Sequence, residues 1–239
     1  MNFSGIYKQQ QFWQTGEIQR NISWVEVQEL PGSNCYCDGD AMETLRQKLE
    51  EFDADGIHFI DSGNYHYMKL NTPFRLVVFD NHTDMQPPAF GGLLSCGGWV
   101  AASLEELPLL KEVLLVGPDQ EAFDQTEPVL QEKVRFLSRE RLREMTMEEK
   151  VLFFEELSVD LPVYLSVDKD VLCAEDASTT WSQGDMTLEE LGQFVAILLE
   201  KQDILGMDVC GECDPDACEG DHLNDLANRE LLEIWGKER

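Results

Sequence analysis

Basic residues are scarce in this chain. Against 47 Asp and Glu stand only 18 Lys and Arg, which leaves a formal net charge of −29 at pH 7. A field of that sign repels a phosphate backbone, and no basic stripe makes a local exception, so neither nucleic acid nor an anionic membrane surface is an expected partner. Long apolar runs are also lacking. The apolar share of 43% is ordinary for a globular protein, yet no window approaches the roughly 18 uninterrupted apolar residues of a membrane helix. The segment Met1 to Gln10 has no basic region leading into an apolar core, so no export signal is expected and the expected compartment is the cytoplasm. The seven cysteines (35, 37, 96, 173, 210, 213 and 218) are an odd number. Without an export signal, reduced thiols are expected rather than a disulfide framework. There is no internal repeat, no low-complexity tract and no linker rich in Pro, Gly or Ser, so residues 1–239 are read as a single domain.

What the chain does have is an alternation of apolar runs and amphipathic stretches. Strands are expected at Ile22–Leu30, Ile57–Ile60, Arg75–Phe79, Glu112–Val116, Val134–Leu137, Val163–Val167 and Ile204–Val209. Helices are expected at Ala41–Phe52, Leu94–Leu104, Met147–Leu157, Thr187–Lys201 and His222–Lys237, the fourth opened by the capping-box spacing Thr187-Leu-Glu-Glu190. Alternating β and α elements predict an α/β protein with a mainly parallel sheet covered on both faces. Ligand sites in such sheets lie beyond the carboxyl ends of the strands.

Two strand ends carry unusual chemistry. Arg75-Leu-Val-Val-Phe-Asp80-Asn-His82-Thr-Asp84 presents Asp, His and Asp at every second position, and Val163-Tyr-Leu-Ser-Val-Asp168-Lys-Asp170 repeats the design with two carboxylates. Side chains at i, i+2 and i+4 leave a strand on one side and converge. Strand-end turns with solvated acids are the bland account, but four carboxylates gathered at one sheet edge repel one another without cations. Asp80, Asp84, Asp168 and Asp170 carry four negative charges, which two divalent ions cancel. Oxygen and imidazole ligands without thiolate suit Mn²⁺, and less well Zn²⁺ or Mg²⁺; the same ligands accept Fe²⁺ and Co²⁺. Water held by such ions has its pKa lowered to about 7. Upstream, Asp61-Ser-Gly-Asn-Tyr-His66 follows the strand at Ile57–Ile60, which brings His66 to the same edge as a further ligand candidate.

These motifs resemble those of the ureohydrolase superfamily, which includes arginase, agmatinase and formiminoglutamase. Asp80-Asn-His82-Thr-Asp84 is similar to its Asp-x-His-x-Asp signature and Ser166-Val-Asp168-Lys-Asp170 to its Ser-x-Asp-x-Asp signature. The resemblance runs from about His58 to Pro215 and implies a short, divergent member of that superfamily. It further implies a three-layer α/β/α sandwich, a binuclear Mn²⁺ centre and a metal-bridging hydroxide that breaks a C–N bond in a small amidine, guanidino or formimino compound. His66, Asp80, His82, Asp84, Asp168 and Asp170 would be the metal ligands, with Asp80 and Asp168 bridging. Met207-Asp208-Val-Cys-Gly-Glu212-Cys-Asp214-Pro215 is similar to the family's Asp-x-x-Glu-Val-Asn-Pro segment with one residue inserted. By that match Glu212 would hold the substrate's cationic nitrogen group. Asp84 and Glu212 are the expected catalytic pair, and Ser95 beside Glu212 the expected substrate-binding residues. Family members often form trimers or hexamers, which extends to this chain as an expected homo-oligomer.

The departures bear on activity. Where the family carries a proton-shuttling histidine, this chain has Ser95-Cys96-Gly97-Gly98, with Gly97 at its place. The family's Asp-Pro after the second motif is replaced by Cys173-Ala174. Arginine is therefore not the expected substrate. Two alternatives stay open: a deacetylase-like amidohydrolase on a related scaffold, against which stands the absence of a His-His pair, and a degenerate member that keeps metal in a binding or regulatory role. Separately, Cys210-x₂-Cys213-x₄-Cys218-x₃-His222 has spacing compatible with structural zinc. Packing of Cys210 into the core is the competing account.

Overall fold

The computed structural model describes residues 1–14, 22–33, 36–62, 70–88, 93–216 and 221–238. Two 3-10 turns, Ile6–Lys8 and Phe12–Gln14, precede β1 (Tyr36–Cys37), α1 (Gly39–Leu49), β2 (Ile57–Phe59) and β3 (Phe74–Phe79). The short strand β4 (Leu94–Ser95) leads through a 3-10 turn at Cys96–Gly98 into α2 (Trp99–Glu106). Next come β5 (Leu110–Val116), α3 (Gln120–Asp124), α4 (Pro128–Gln131), β6 (Val134–Leu137), α5 (Arg139–Glu144), α6 (Met147–Glu155) and β7 (Val163–Asp168). A 3-10 turn at Lys169–Val171 follows β7, and the chain closes with α7 (Leu188–Lys201), β8 (Ile204–Cys210) and α8 (Asp221–Glu238).

Among the described residues, β2, β8, β7, β3, β5 and β6 form, in that order, a six-stranded sheet whose pairings are all parallel. Every residue of β3 and β7 is buried, as strands covered on both faces require. The period of two sorts their side chains into two layers. Val77, Phe79, Val163, Leu165, Val167, Met207 and Val209 pack against Phe154 of α6, Phe194 and Leu198 of α7 and Leu231 of α8. Leu76, Val78, Val113, Leu115 and Tyr164 face the other way, onto Trp99 and Val100 of α2, Phe123 of α3 and Leu130 of α4. The result is an α/β/α sandwich. Its site-bearing feature is topological: from β3 the chain moves outward through β5 and β6, then returns to β7 on the opposite side of β3 and continues to β8. The sheet therefore reverses direction between β3 and β7, where a crevice opens at the carboxyl edge.

Element by element, most expectations hold to within a few residues. Val134–Leu137 is β6 as read, and the capping box of α7 is formed by both Thr187 and Glu190. Two expectations are corrected. Ile22–Leu30 forms no strand; it makes one bridge, Glu26 to Asn2, and Val27 turns into a side cluster with Ala41 and Leu45 of α1. Leu94–Leu104 is helical only from Trp99, because Gly97-Gly98 disfavours helix and the preceding residues pair as β4 with β1. The short helices α3, α4 and α5 had no periodic signal long enough to read.

Candidate metal centre

β3 and β7 are register neighbours, Phe79 opposite Val167, so Asp80, just past β3, and Asp168, the last residue of β7, come side by side at the sheet's carboxyl edge. Asp80 is 2% and Asp170 2% exposed. The turn after β3 is wound on these carboxylates: the His82 N–H donates to Asp80 Oδ1 (2.6 Å) and the Asn81 N–H to Asp170 Oδ1 (2.9 Å). The turn after β7 is built alike, the Asp170 N–H donating to Asp168 Oδ1 (3.0 Å). Across the gap His82 Nδ1 lies 2.8 Å from Asp170 Oδ2. Ligand atoms of Asp80, His82 and Asp170 fall within 4.8 Å of one another, close enough to share one ion.

Asp84 completes the first motif by an uncommon backbone. Its φ of 48° is left-handed, a conformation Asp tolerates better than most residues. The reversal sends Met85 into the core while Asp84 Oδ2 accepts from the Trp99 indole N–H (2.7 Å). Asp168 Oδ2 receives the Cys210 thiol (3.4 Å).

Electrostatically the cluster is under-compensated. Burial, then the charges of Asp84, Asp170 and Asp168, push the Asp80 carboxyl well above its usual range. Burial and the nearby Asp168 and Asp170 push Asp84 up to about 8. The His82 imidazole is raised as well, first by its hydrogen bond to Asp170. Buried acids that repel one another resist ionisation until a cation joins them. The donor set therefore fits a divalent, oxygen-preferring ion such as Mn²⁺. The sixth ligand candidate, His66, lies outside the described residues.

The remaining candidates are placed differently. Glu212, 7% exposed, is a fully engaged carboxylate. Lys169, the residue between the two aspartates of the second motif, donates to Glu212 Oε1 from a completely buried position. Asn228 also donates to Oε1 (3.0 Å), while Gln10 (2.9 Å) and Asn224 (3.0 Å) donate to Oε2. The carboxylate that resemblance assigns to a substrate cation is thus, in this structure, the counter-ion of an internal lysine. Gly211, the inserted residue of that segment, has φ 80° and lies so close to Asp168 that an added Cβ would stand 2.2 Å from Oδ1. Only a glycine fits that turn. Ser95 sits at the end of β4 opposite Tyr36. At Gly97 an added Cβ would meet the Gln86 carboxamide at 3.3 Å, so a neutral amide adjoins the position where the family histidine was expected.

The cysteine expectations are corrected in part. Cys37, Cys96, Cys173 and Cys210 are thiols, but Cys213 is disulfide-bonded. A half-cystine is not a thiolate ligand, and Cys210 is turned to Asp168 inside the sheet edge, so these two do not join in a zinc knuckle. Which thiols a fold brings together is not written in their spacing.

Sequence reading missed Lys169, Gln10, Asn224, Asn228, Trp99 and Ser182. Only Lys169 had a visible signal, as a charge inside an otherwise buried motif.

The family model described as the Arginase family matches residues 56–234, the span that holds both acidic motifs. The chain belongs to the arginase family. A Thermotoga maritima protein described only as uncharacterized is 29% identical over 232 residues, covering 90% of this chain and 79% of its own. Among solved structures the fold is similar to proclavaminate amidino hydrolase from Streptomyces clavuligerus (TM-score 0.64, 20% identity, 84% of this chain and 70% of that one). It is also similar to a hypothetical agmatinase from Burkholderia thailandensis (0.57, 21%, 70% and 52%) and to Trypanosoma cruzi formiminoglutamase with Mn²⁺ (0.54, 14%, 70% and 57%). At these identities the likeness is one of fold. The chain spans little more than half the length of the latter two.

Proposed function

We propose that this arginase-family protein is a metal-dependent hydrolase of a linear, non-peptide C–N bond in a small amidine, guanidino or formimino compound. The observation that carries the reading is the cluster of the buried Asp80 and Asp170 with the half-buried His82, joined by Asp84 and Asp168 whose charges repel Asp80, at the point where the sheet reverses. The names of the structurally similar enzymes, an amidino hydrolase, an agmatinase and a formiminoglutamase, support the bond type.

His66, Asp80, His82, Asp84, Asp168 and Asp170 would hold two divalent ions, Mn²⁺ by preference, with Fe²⁺, Co²⁺ or Zn²⁺ as substitutes. When bound, the ions supply Lewis-acid activation of water and of the electrophilic carbon. The protein's own groups do the rest. Asp84, steadied by the Trp99 N–H, is positioned to take a proton and return it to the departing nitrogen. Ser95 would line the substrate side in this reading, and Glu212, held by Lys169, Asn228, Gln10 and Asn224, would act on the substrate only through that network. Because Lys169 already neutralises Glu212, arginine is a poor fit, and a substrate whose reacting group is less strongly cationic is favoured. We place the reaction in the cytoplasm, with a small molecule as substrate and a homo-oligomer as the working assembly; among the described residues no helix is long and apolar enough to cross a membrane.

Gly97 with its adjoining Gln86 amide favours a second reading. A neutral carboxamide does not shuttle protons, so the chain would keep its metal for a binding or regulatory role. One experiment separates them. Equilibrium dialysis with Mn²⁺ is expected to give about two ions per chain, and Asp84→Asn to lose both uptake and turnover in a screen of guanidino, ureido and formimino compounds. A folded chain that takes up no divalent cation refutes both readings. A loaded chain inert across the screen supports the second.

A further inference from the structure

We propose that Ser182 is a positioning residue for the metal centre, its hydroxyl holding the His82 ring by Nε2 so that Nδ1 is the nitrogen turned to the ion. This rests on the metal-binding reading above and deepens it.

An imidazole has two nitrogens, and the partner of one decides which is left to bind metal. His82 Nδ1 lies inside the acidic cluster, 2.8 Å from Asp170 Oδ2, and Nε2 points away from it, 2.9 Å from Ser182 Oγ. A ring turned over about Cβ–Cγ would set Cδ2 against Asp170 and Cε1 against Ser182, losing both contacts. Ser182 is 100 residues from His82 in sequence, on the loop between the Lys169–Val171 turn and α7.

That loop is itself pinned at the centre. Asn81, which separates the ligands Asp80 and His82, donates through Nδ2 to the Ser182 carbonyl (2.8 Å) and to its hydroxyl (3.4 Å). The Asn81 side-chain oxygen accepts from Arg139 Nη1 (3.0 Å), so neither the amide nor the loop it holds can swing easily. Two residues on, the Gly184 N–H donates to the Asp170 carbonyl (2.7 Å), and a Cβ at Gly184 would stand 2.4 Å from the Val171 carbonyl oxygen. The serine hydroxyl is thus fixed from both sides by residues attached to the two metal-ligand turns. In the proposed arrangement Nε2–H donates to Ser182 Oγ, and the Nδ1 lone pair is delivered to the cation.

The test reads metal binding, not turnover. Isothermal titration of Mn²⁺ into Ser182→Ala is expected to show affinity about tenfold weaker, at the low end for partners that orient a ligating histidine because Ser182 is exposed. Ser182→Thr, which keeps the hydroxyl, is expected to stay within about threefold of wild type. Thermal melts of the metal-free variants should coincide with wild type, since an exposed loop serine contributes little packing. In the Zn²⁺-loaded protein labelled with ¹⁵N-histidine, His82 should keep its proton on Nε2. Unchanged Mn²⁺ affinity in Ser182→Ala, a threonine variant as weak as alanine, or a proton on Nδ1 would each overturn the assignment. Wild-type protein that binds no divalent ion removes the metal reading as well, which separates that failure from this one.

Discussion

Lys169 sits between two carboxylates expected to bind metal, has no exposed surface, and is answered by Glu212 and Asn228. Removing one partner of a buried pair leaves the other uncompensated. Lys169→Met should therefore destabilise the fold by about 3–5 kcal/mol in urea denaturation, whereas the double variant Lys169→Met/Glu212→Gln should lose much less. Equal losses would mean that the pair is not coupled. The acids of the centre make a second residue-scale prediction. In the metal-free chain Asp84 is held up to about 8, against 3.8 for an ordinary Asp side chain. The folded state then keeps a proton that the unfolded chain has released, so stability falls as pH rises through that window. Asp80 is shifted the same way, and His82, raised by Asp170, also favours folding only while protonated. In EDTA the melting temperature should decline from about pH 4 to about pH 8, and saturating Mn²⁺ should flatten or reverse the slope. A flat profile in EDTA would refute this account.

At the scale of elements, legibility followed locality. β3 and β7 were readable because an apolar run ending in alternating acids is a property of consecutive residues, and α7 because its capping box spans four positions. The segment Ile22–Leu30 misled because its apolar content packs beside α1 rather than in the sheet; sequence reports apolarity but not the surface that receives it. At Leu94–Leu104 the Gly97-Gly98 pair outweighed helical periodicity. The turn after β8 shows how one residue links an element to the site. Gly211 combines φ 80° with a backbone pressed on Asp168. Gly211→Ala should displace the Asp168 carboxylate, lowering both the melting temperature and Mn²⁺ uptake; a variant with wild-type uptake would show that Asp168 does not depend on this turn.

Across the whole molecule, 47 acids face 18 bases. Self-repulsion of that size opposes the compact state and is screened by salt, with a Debye length of about 10 Å at 0.1 M. Metal-free protein should therefore melt higher as NaCl rises from low to physiological strength, with a smaller gain once the centre is loaded. An unchanged melting temperature would mean the surface charges are too dispersed to matter. The same field draws cations toward the crevice between β3 and β7, where, in the order of the described strands, the chain departs in opposite directions.

By itself the sequence determined the six strands of the main sheet, the longer helices, the α/β class and the candidate side chains for a metal, because these depend on residues a few positions apart. Only the tertiary structure decided what surrounds them. Gln10 meets Glu212 across 202 positions and Asn228 across 218, and His82 meets Ser182 across 100. Those pairings follow from the sheet's reversal and the docking of α8, and no local pattern of residues encodes which distant amide or hydroxyl will arrive at a buried charge.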